Sequence, residues 1–145
     1  MSIALLEELA RRFRAGDMEA AFELYHPRVR IDQPESLPHG GVHEGRAAVR
    51  EMGRVFAMYW TRTISEPYRT GCEDGRVLQI TQQTWTARAT GRSASGDVLE
   101  LISFAGDVIA EIRVFQRDTK RLLETLDRGP GSGSGSGSGS GRSES

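Results

Sequence analysis

The stretch RAAVREMGRVFAMYW (46–60), followed by TRTISEPYRTGCEDGRVLQITQQTWTARA (61–89), decides the fold. In its first part Val49, Met52, Phe56 and Tyr59 recur at spacings of three and four. Arg46, Arg50 and Arg54 fill another side of the same helix as a solvated row. After Trp60 the period changes to two, the alternation of a strand. Strands are expected over 62–72 and 76–89, with Glu73-Asp74-Gly75 as the turn between them.

Working outward toward the N-terminus, Leu5, Leu9 and Phe13 recur at i, i+4 and i+8 with Leu6 beside them, which predicts a first helix stopped at Gly16. Asp17 is placed to cap a second helix carrying Met18, Ala21, Phe22 and Tyr25, and Pro27 closes it. Val29, Ile31 and Gln33 alternate with Arg30 and Asp32 in a short strand that Pro34 ends. The loop PESLPHGGVHEG (34–45) holds two prolines and three glycines, too many breakers for regular structure. Toward the C-terminus, strands are expected over 97–105 and 108–117. The turns fall in the Gly91–Gly96 region and at Ala105-Gly106-Asp107, and Asp118 caps a last helix over 119–126. Helices first and a strand meander after them define an α+β domain, with three N-terminal helices packed on a curved, mostly antiparallel sheet.

The 145 residues suit one domain, residues 1–128, with GPGSGSGSGSGSGRSES (129–145) as a disordered Gly/Ser tail that has no apolar side chain to offset its ordering entropy. A net charge of −1, with acids and arginines interspersed, leaves no basic stripe, so nucleic acid is not an expected partner. The single Cys72 excludes an internal disulfide and suits a reducing compartment. No run approaches the ~18–20 apolar residues of a membrane span, and MSIALLEELARRF lacks the features of a signal peptide. A cytoplasmic protein with no membrane partner is expected.

The segment FRAGDMEAAFELYHPRVRIDQP (13–34), the element G-x-x-x-G-R-x-A-V-R from Gly41 to Arg50, and the closing run GDVIAEIRVF (106–115) occur in an order that resembles the nuclear transport factor 2-like superfamily. The likeness covers about residues 5–125 and is nearest in character to SnoaL-like polyketide cyclases and steroid isomerase-like proteins. It implies a cone enclosing an apolar pocket, whose function is read from the few polar residues facing inward.

In the steroid isomerases the general base is an Asp just before the proline of that first segment, and the matching position here is Gln33. Strand parity puts Gln33 with Val29 and Ile31, facing the pocket. An amide does not take a proton at pH 7 but holds a carbonyl or hydroxyl by hydrogen bonds. A second isomerase acid, which hydrogen-bonds the substrate oxyanion, matches Glu100. Its face-mates Ile102 and Phe104 are apolar, so its carboxyl is expected to be desolvated, with a raised pKa. In the epoxide hydrolases, and by similar placement in SnoaL-like cyclases, an inward Asp on the last strand is catalytic. The matching position here is Val114, flanked on its face by Ile112 and Gln116. That acid is absent, which argues against epoxide hydrolysis.

His39 and His43 lie in the loop before the third helix, at the expected pocket mouth, and are chemically suited to acid or base work. Their spacing of four would suit a metal on a helix, but the surrounding glycines argue against a helix, so no metal is expected, and no cofactor. Tyr25, Tyr59 and Trp60 are expected to pack around the substrate with the tyrosine hydroxyls as donors. The strand 76–89 leaves two parities open. One turns Gln82 and Thr84 inward with Leu78 and Ile80; the other turns Thr81, Gln83 and Trp85 inward. Gln82 enters the candidate substrate-binding set with Ile102, Phe104, Ile112 and Val114.

The expected function is a small-molecule cyclase or isomerase acting on a hydrophobic polyketide-type intermediate. Ring closure would be of aldol or Diels-Alder type in a pocket with few polar groups. The alternatives are an acid/base isomerase or hydrolase of the steroid-isomerase type, and a non-catalytic ligand-binding or dimerisation module. A homodimer is expected, with Trp85 and the 97–117 hairpin as contacts.

Overall fold

The change of period at Trp60 is the joint between helix and sheet. In the computed structural model, which describes residues 2–127, α3 (Arg46–Tyr59) runs directly into β3 (Trp60–Ile64) with no loop between. The Gly/Ser stretch expected to be a tail lies outside the described residues. Ahead of α3 come α1 (Ser2–Arg14), α2 (Met18–Phe22), β1 (Tyr25–Gln33) and β2 (Gly41–Glu44). After β3 come β4 (Tyr68–Gly71), β5 (Val77–Ala87), β6 (Ser93–Ala105), β7 (Val108–Gln116) and α4 (Thr119–Glu124). The sheet order is β2-β1-β7-β6-β5-β3, with β4 also on β5. Every pairing is antiparallel except β1 with β7. Helices at the N-terminus pack on one face of this curved sheet, the α+β arrangement expected.

Four local expectations need correction. The second helix stops at Phe22, and β1 already begins at Tyr25, which pairs with Ile109. Pro27 disfavours helix at the residue before it and falls where the β1–β7 register shifts, a place that tolerates a missing N–H. The glycine-rich loop contains a short strand, β2, whose Gly41–Glu44 pair with Gln33–Arg30. The strand expected over 62–72 is two strands, because Ser65-Glu66-Pro67 interrupts it. Both halves still lie along β5, and Ser65 bridges the break by accepting from the Gln82 N–H at 2.9 Å. Gly96, placed in a turn by the sequence, sits inside β6 opposite Gln83.

Two apolar clusters fill the space between helices and sheet. The larger joins Leu6, Leu9, Phe22, Tyr25 and Val49 to Val29, Ile31, Ile102, Ile109 and Ile112. The second gathers Leu37, Trp60, Trp85, Ala87, Ala94 and Leu122 beneath α4, with Phe56 packed against it. Capping is local: the Asp17 carboxylate accepts from the Ala20 N–H at 3.0 Å, and Asp118 accepts from the Arg121 N–H at 3.2 Å. No described helix is long and apolar enough to cross a membrane.

Candidate functional site

Strand parity is fixed by Trp85, which is 2% exposed and must face the helices. Val77, Gln79, Thr81, Gln83 and Ala87 therefore share the concave face of β5, while Leu78, Ile80, Gln82 and Thr84 face out. Gln82 is exposed on the outer face, so its place in the substrate-binding set is corrected. The inward polar residues of β5 form their own ladder. Trp85 Nε1 donates to Gln83 Oε1 at 2.8 Å, and Gln83 Nε2 donates to Thr81 Oγ1 at 3.0 Å.

Register then carries the inward face across the sheet. Gln79 lies opposite Arg69 on β4 and Glu100 on β6, and Glu100 lies opposite Val114 on β7. Asp32 of β1 pairs with Arg113, so Gln33, one residue further, falls at the level of Val114. Arg69, Gln79, Glu100, Val114 and Gln33 thus make one row over five strands. Gln33 and Glu100 stand two strands apart, ~10 Å at the backbone.

Within the row, Arg69 Nε donates to Gln79 Oε1 and Gln79 Nε2 donates to Glu100 Oε1, both at 2.5 Å. Gln79 is thereby fixed in orientation, its amide donor committed to the carboxyl. Burial pushes the Glu100 pKa up, opposed by the Gln79 hydrogen bond and by Arg62 and Arg69. Tyr25, buried on β1, has its hydroxyl pushed up by burial and then by the Glu100 charge, so it stays a protonated donor beside that carboxyl. Its ring packs edge-on against Phe22 at 5.4 Å, and its backbone carbonyl accepts from Arg46 Nη2 at 2.5 Å. Gln33 Nε2 reaches Met52 Sδ at 3.6 Å, and its Oε1 is buried with no partner among the described residues.

Several predicted site residues fall elsewhere. His39 is 3% exposed and belongs to an aromatic cluster rather than the mouth, with ring centroids 5.3 Å from Phe56, 5.8 Å from Trp85 and 6.1 Å from Trp60. Burial first, then Arg62 and His43, lowers its pKa to about 4, so at neutral pH it is uncharged and a weak base. The turn holding it depends on Gly40, where a Cβ would come within 2.3 Å of the Pro34 carbonyl oxygen. His43 Nε2 lies 2.8 Å from the His39 carbonyl oxygen, a hydrogen bond that ties the loop down. Trp60 is core, and Tyr59 is 38% exposed at the end of α3, so neither lines an interior pocket as expected. Ile102 and Ile112 are sealed in the main core. Phe104 and Val114 remain half-buried at its margin.

Sequence reading missed Arg62, Arg69 and Gln79. Anchoring parity on the tryptophans, Trp85 on β5 and Trp60 two residues before Arg62, was the signal that finds them. A separate cleft of about 60 Å³ opens where α4 meets β6, lined in part by Gln83, Val98, Gln116 and Asp118. It has room for a handful of waters and lies away from Glu100. No three His, Cys, Asp or Glu side chains among the described residues come together as a metal site.

Helices held against one face of a curved, mostly antiparallel sheet are the architecture of the nuclear transport factor 2-like superfamily. Within it the chain belongs to the SnoaL-like domain family, whose profile matches residues 6–112. No curated protein matches it in sequence. Three solved structures illustrate the fold. A nuclear transport factor 2-like protein from Burkholderia xenovorans LB400 is 20% identical with a TM-score of 0.77, covering 86% of this chain and 95% of that one. TerC, co-crystallised with polyporic acid, is 20% identical with a TM-score of 0.75, covering 86% and 96%. A candidate polyketide cyclase from Xanthomonas campestris pv. campestris is 15% identical with a TM-score of 0.71, covering 86% and 96%. At these identities the likeness carries the fold.

Proposed function

We propose that the protein is a cyclase or isomerase of a hydrophobic, polyketide-type intermediate, with Glu100 moving the proton. The observation that carries this reading is the half-buried Glu100 carboxyl on the concave face, hydrogen-bonded by Gln79 and electrostatically coupled to the buried Tyr25 hydroxyl. Burial shifts the carboxyl toward neutral pH, the direction in which a group better serves as base in one step and acid in the next. Aldol-type closure and double-bond isomerisation share their first step. The Glu100 carboxylate takes the proton α to a carbonyl, the C–H electron pair passes into an enolate, and the Tyr25 hydroxyl hydrogen-bonds its oxygen. In ring closure the enolate carbon then attacks a second carbonyl carbon of the same molecule. The resulting alkoxide takes the proton back from Glu100, so atoms and charge balance over the cycle. In isomerisation that proton returns to a different carbon. The likeness to a candidate polyketide cyclase agrees with this class of substrate.

Single-turnover assays with polyketide-type polyketone substrates test the reading. Glu100→Gln keeps the shape and the hydrogen bonding but not the proton, and its rate is expected to fall by ~100-fold or more. Substantial activity in Glu100→Gln would instead support a template that closes rings without proton transfer.

The homodimer belongs to the same reading, with one change of contact. Trp85 is buried inside and unavailable, whereas the outer sheet face carries Tyr68, Ile80, Leu99 and Phe115 in register across four strands. Tyr68 is 63% and Phe115 48% exposed. An apolar band of this kind on a sheet face suits burial against its own copy. Light scattering at tens of micromolar should give twice the chain mass, and Leu99→Glu should give the single chain mass. A monomeric wild type would end this proposal.

A further inference from the structure

Arg62, like Arg14, Arg113, Arg117 and Arg121, shows no side-chain hydrogen bond or ion pair among the described residues, so what sets it apart is its place. It lies on β3 opposite Trp85, so its side chain enters the concave side, where its guanidinium carbon sits 4.7 Å over the Phe56 ring. The guanidinium stands on the concave side, and Arg62 remains exposed to solvent at the sheet edge. Arg69 spends its Nε–H on Gln79, Arg46 is bonded to the Tyr25 carbonyl, and Arg28, Arg50, Arg54 and Arg76 form ion pairs. Arg62 forms neither a hydrogen bond nor an ion pair with any described residue. Its five N–H donors, in a planar fork that matches a carboxylate, are unused.

The groups nearest to it do not supply the missing counter-charge. Glu100 influences Arg62 electrostatically but makes no ion pair with it. Their backbone positions lie at different levels, opposite Trp85 and Gln79, six residues apart along β5. The Glu100 carboxyl and the Tyr25 hydroxyl are both driven toward their neutral forms by burial. His39, the other titratable neighbour, is uncharged at neutral pH, and His43 is engaged with the loop backbone. An arginine on the concave side that solvent reaches and no protein anion pairs is free to receive an anionic ligand. Desolvation of the guanidinium lowers its pKa, yet arginine stays protonated.

We infer that Arg62 is an anion anchor, and that the substrate is a flat hydrophobic molecule bearing an acidic group, a carboxylate or an acidic enol or phenol, held by that guanidinium. This rests on the proposed reading of Glu100 and deepens it. The acidic end docks over Phe56 at the sheet edge, and the reacting carbon lies further along the concave face at Glu100. Arg62 is in this sense a specificity-determining residue. It selects an anion and sets the direction in which the substrate enters, and Glu100 carries the proton.

The test is calorimetric titration of the wild-type chain, Arg62→Gln, Arg62→Lys and Glu100→Gln with 2-naphthoate and its neutral counterpart 2-naphthamide at pH 7.5. A charge-assisted bidentate contact should make naphthoate bind 10–100-fold tighter than the amide in the wild type. Arg62→Gln should bring that ratio to within 2-fold, Arg62→Lys should leave part of it, and Glu100→Gln should leave it intact. Melting curves establish that Arg62→Gln is folded. Equal binding of acid and amide by the wild type overturns the anchor but leaves a ligand cavity. A preference that survives Arg62→Gln overturns the assignment to this residue. Failure of both probes to bind at millimolar concentration overturns the anchor and the small-molecule reading together. A Glu100→Gln variant that binds normally and still turns over overturns the proton-transfer reading alone.

Discussion

Trp60→Ala lowers the unfolding free energy by about 3–5 kcal/mol, the range for deleting a fully enclosed large aromatic side chain. Trp60 is 1% exposed and touches four aromatic neighbours: Phe56 stacked at 5.6 Å, Trp85 tilted at 5.0 Å, Tyr59 tilted at 5.9 Å and His39 edge-on at 6.1 Å. Its Nε1 donates to Thr125 Oγ1 at 2.8 Å, and that hydroxyl donates on to the Leu122 carbonyl at 2.6 Å. The indole therefore ties the strand that follows α3 to the segment closing α4, two parts of the chain 65 residues apart. Truncation empties the centre of the second cluster and removes the donor from Thr125. Trp60→Phe keeps much of the packing and should cost about 1–2 kcal/mol, chiefly the lost hydrogen bond. Urea unfolding followed by circular dichroism measures both. A loss below 1 kcal/mol for Trp60→Ala would mean that the aromatic cluster does not hold α4 to the sheet.

His39 makes the fold sensitive to acid, by an amount on the order of 3 kcal/mol between pH 7 and pH 4. Its pKa of about 4 in the folded chain lies below the ordinary histidine value, because the charged ring would sit among Phe56, Trp60 and Trp85 with Arg62 nearby. The unfolded chain therefore binds the proton first. The stabilisation is fully present above about pH 6.5, declines as the pH falls below that value, and is gone once the pH passes below the folded value. Glu100 acts in the opposite sense. Its folded pKa is raised, so its contribution is greatest below the ordinary glutamate value and is lost as the pH rises through the folded one. Comparing wild type with His39→Phe isolates the histidine, since Nδ1 has no partner to lose and phenylalanine fits an aromatic cluster. The two proteins should diverge steadily below pH 6.5 in urea unfolding. Parallel pH profiles would show that His39 takes up no proton on unfolding.

The helix-to-sheet order was legible in the chain because each element announces its own period. The change at Trp60 separates α3 from β3 at the residue expected, and Asp17 and Asp118 cap the helices they precede. Gln33 and Glu100 were likewise placed on inward faces, because alternation along one strand is local. What failed was everything that depends on which strand lies beside which. Gln82 was grouped with the lining, although Trp85 on the opposite parity could have fixed its strand. His39 was put at the mouth because its loop is rich in glycine and proline, yet that loop folds back and buries it against three aromatic rings from α3, β3 and β5.

Arg62 sits in a polar run, where its one local sign was its spacing of two from Trp60, and pairing with Trp85 turns it toward the interior. The Arg69–Gln79–Glu100 relay is also invisible in the chain, since its members come from three strands and meet only through register. The sequence by itself determined the elements, their order and the facing of individual strands, because backbone periodicity is a property of neighbouring residues. The tertiary structure alone decided which polar groups share the concave face, which of them are paired, and which are left with unused donors. Those are properties of residues far apart in the chain, set by pairing and burial.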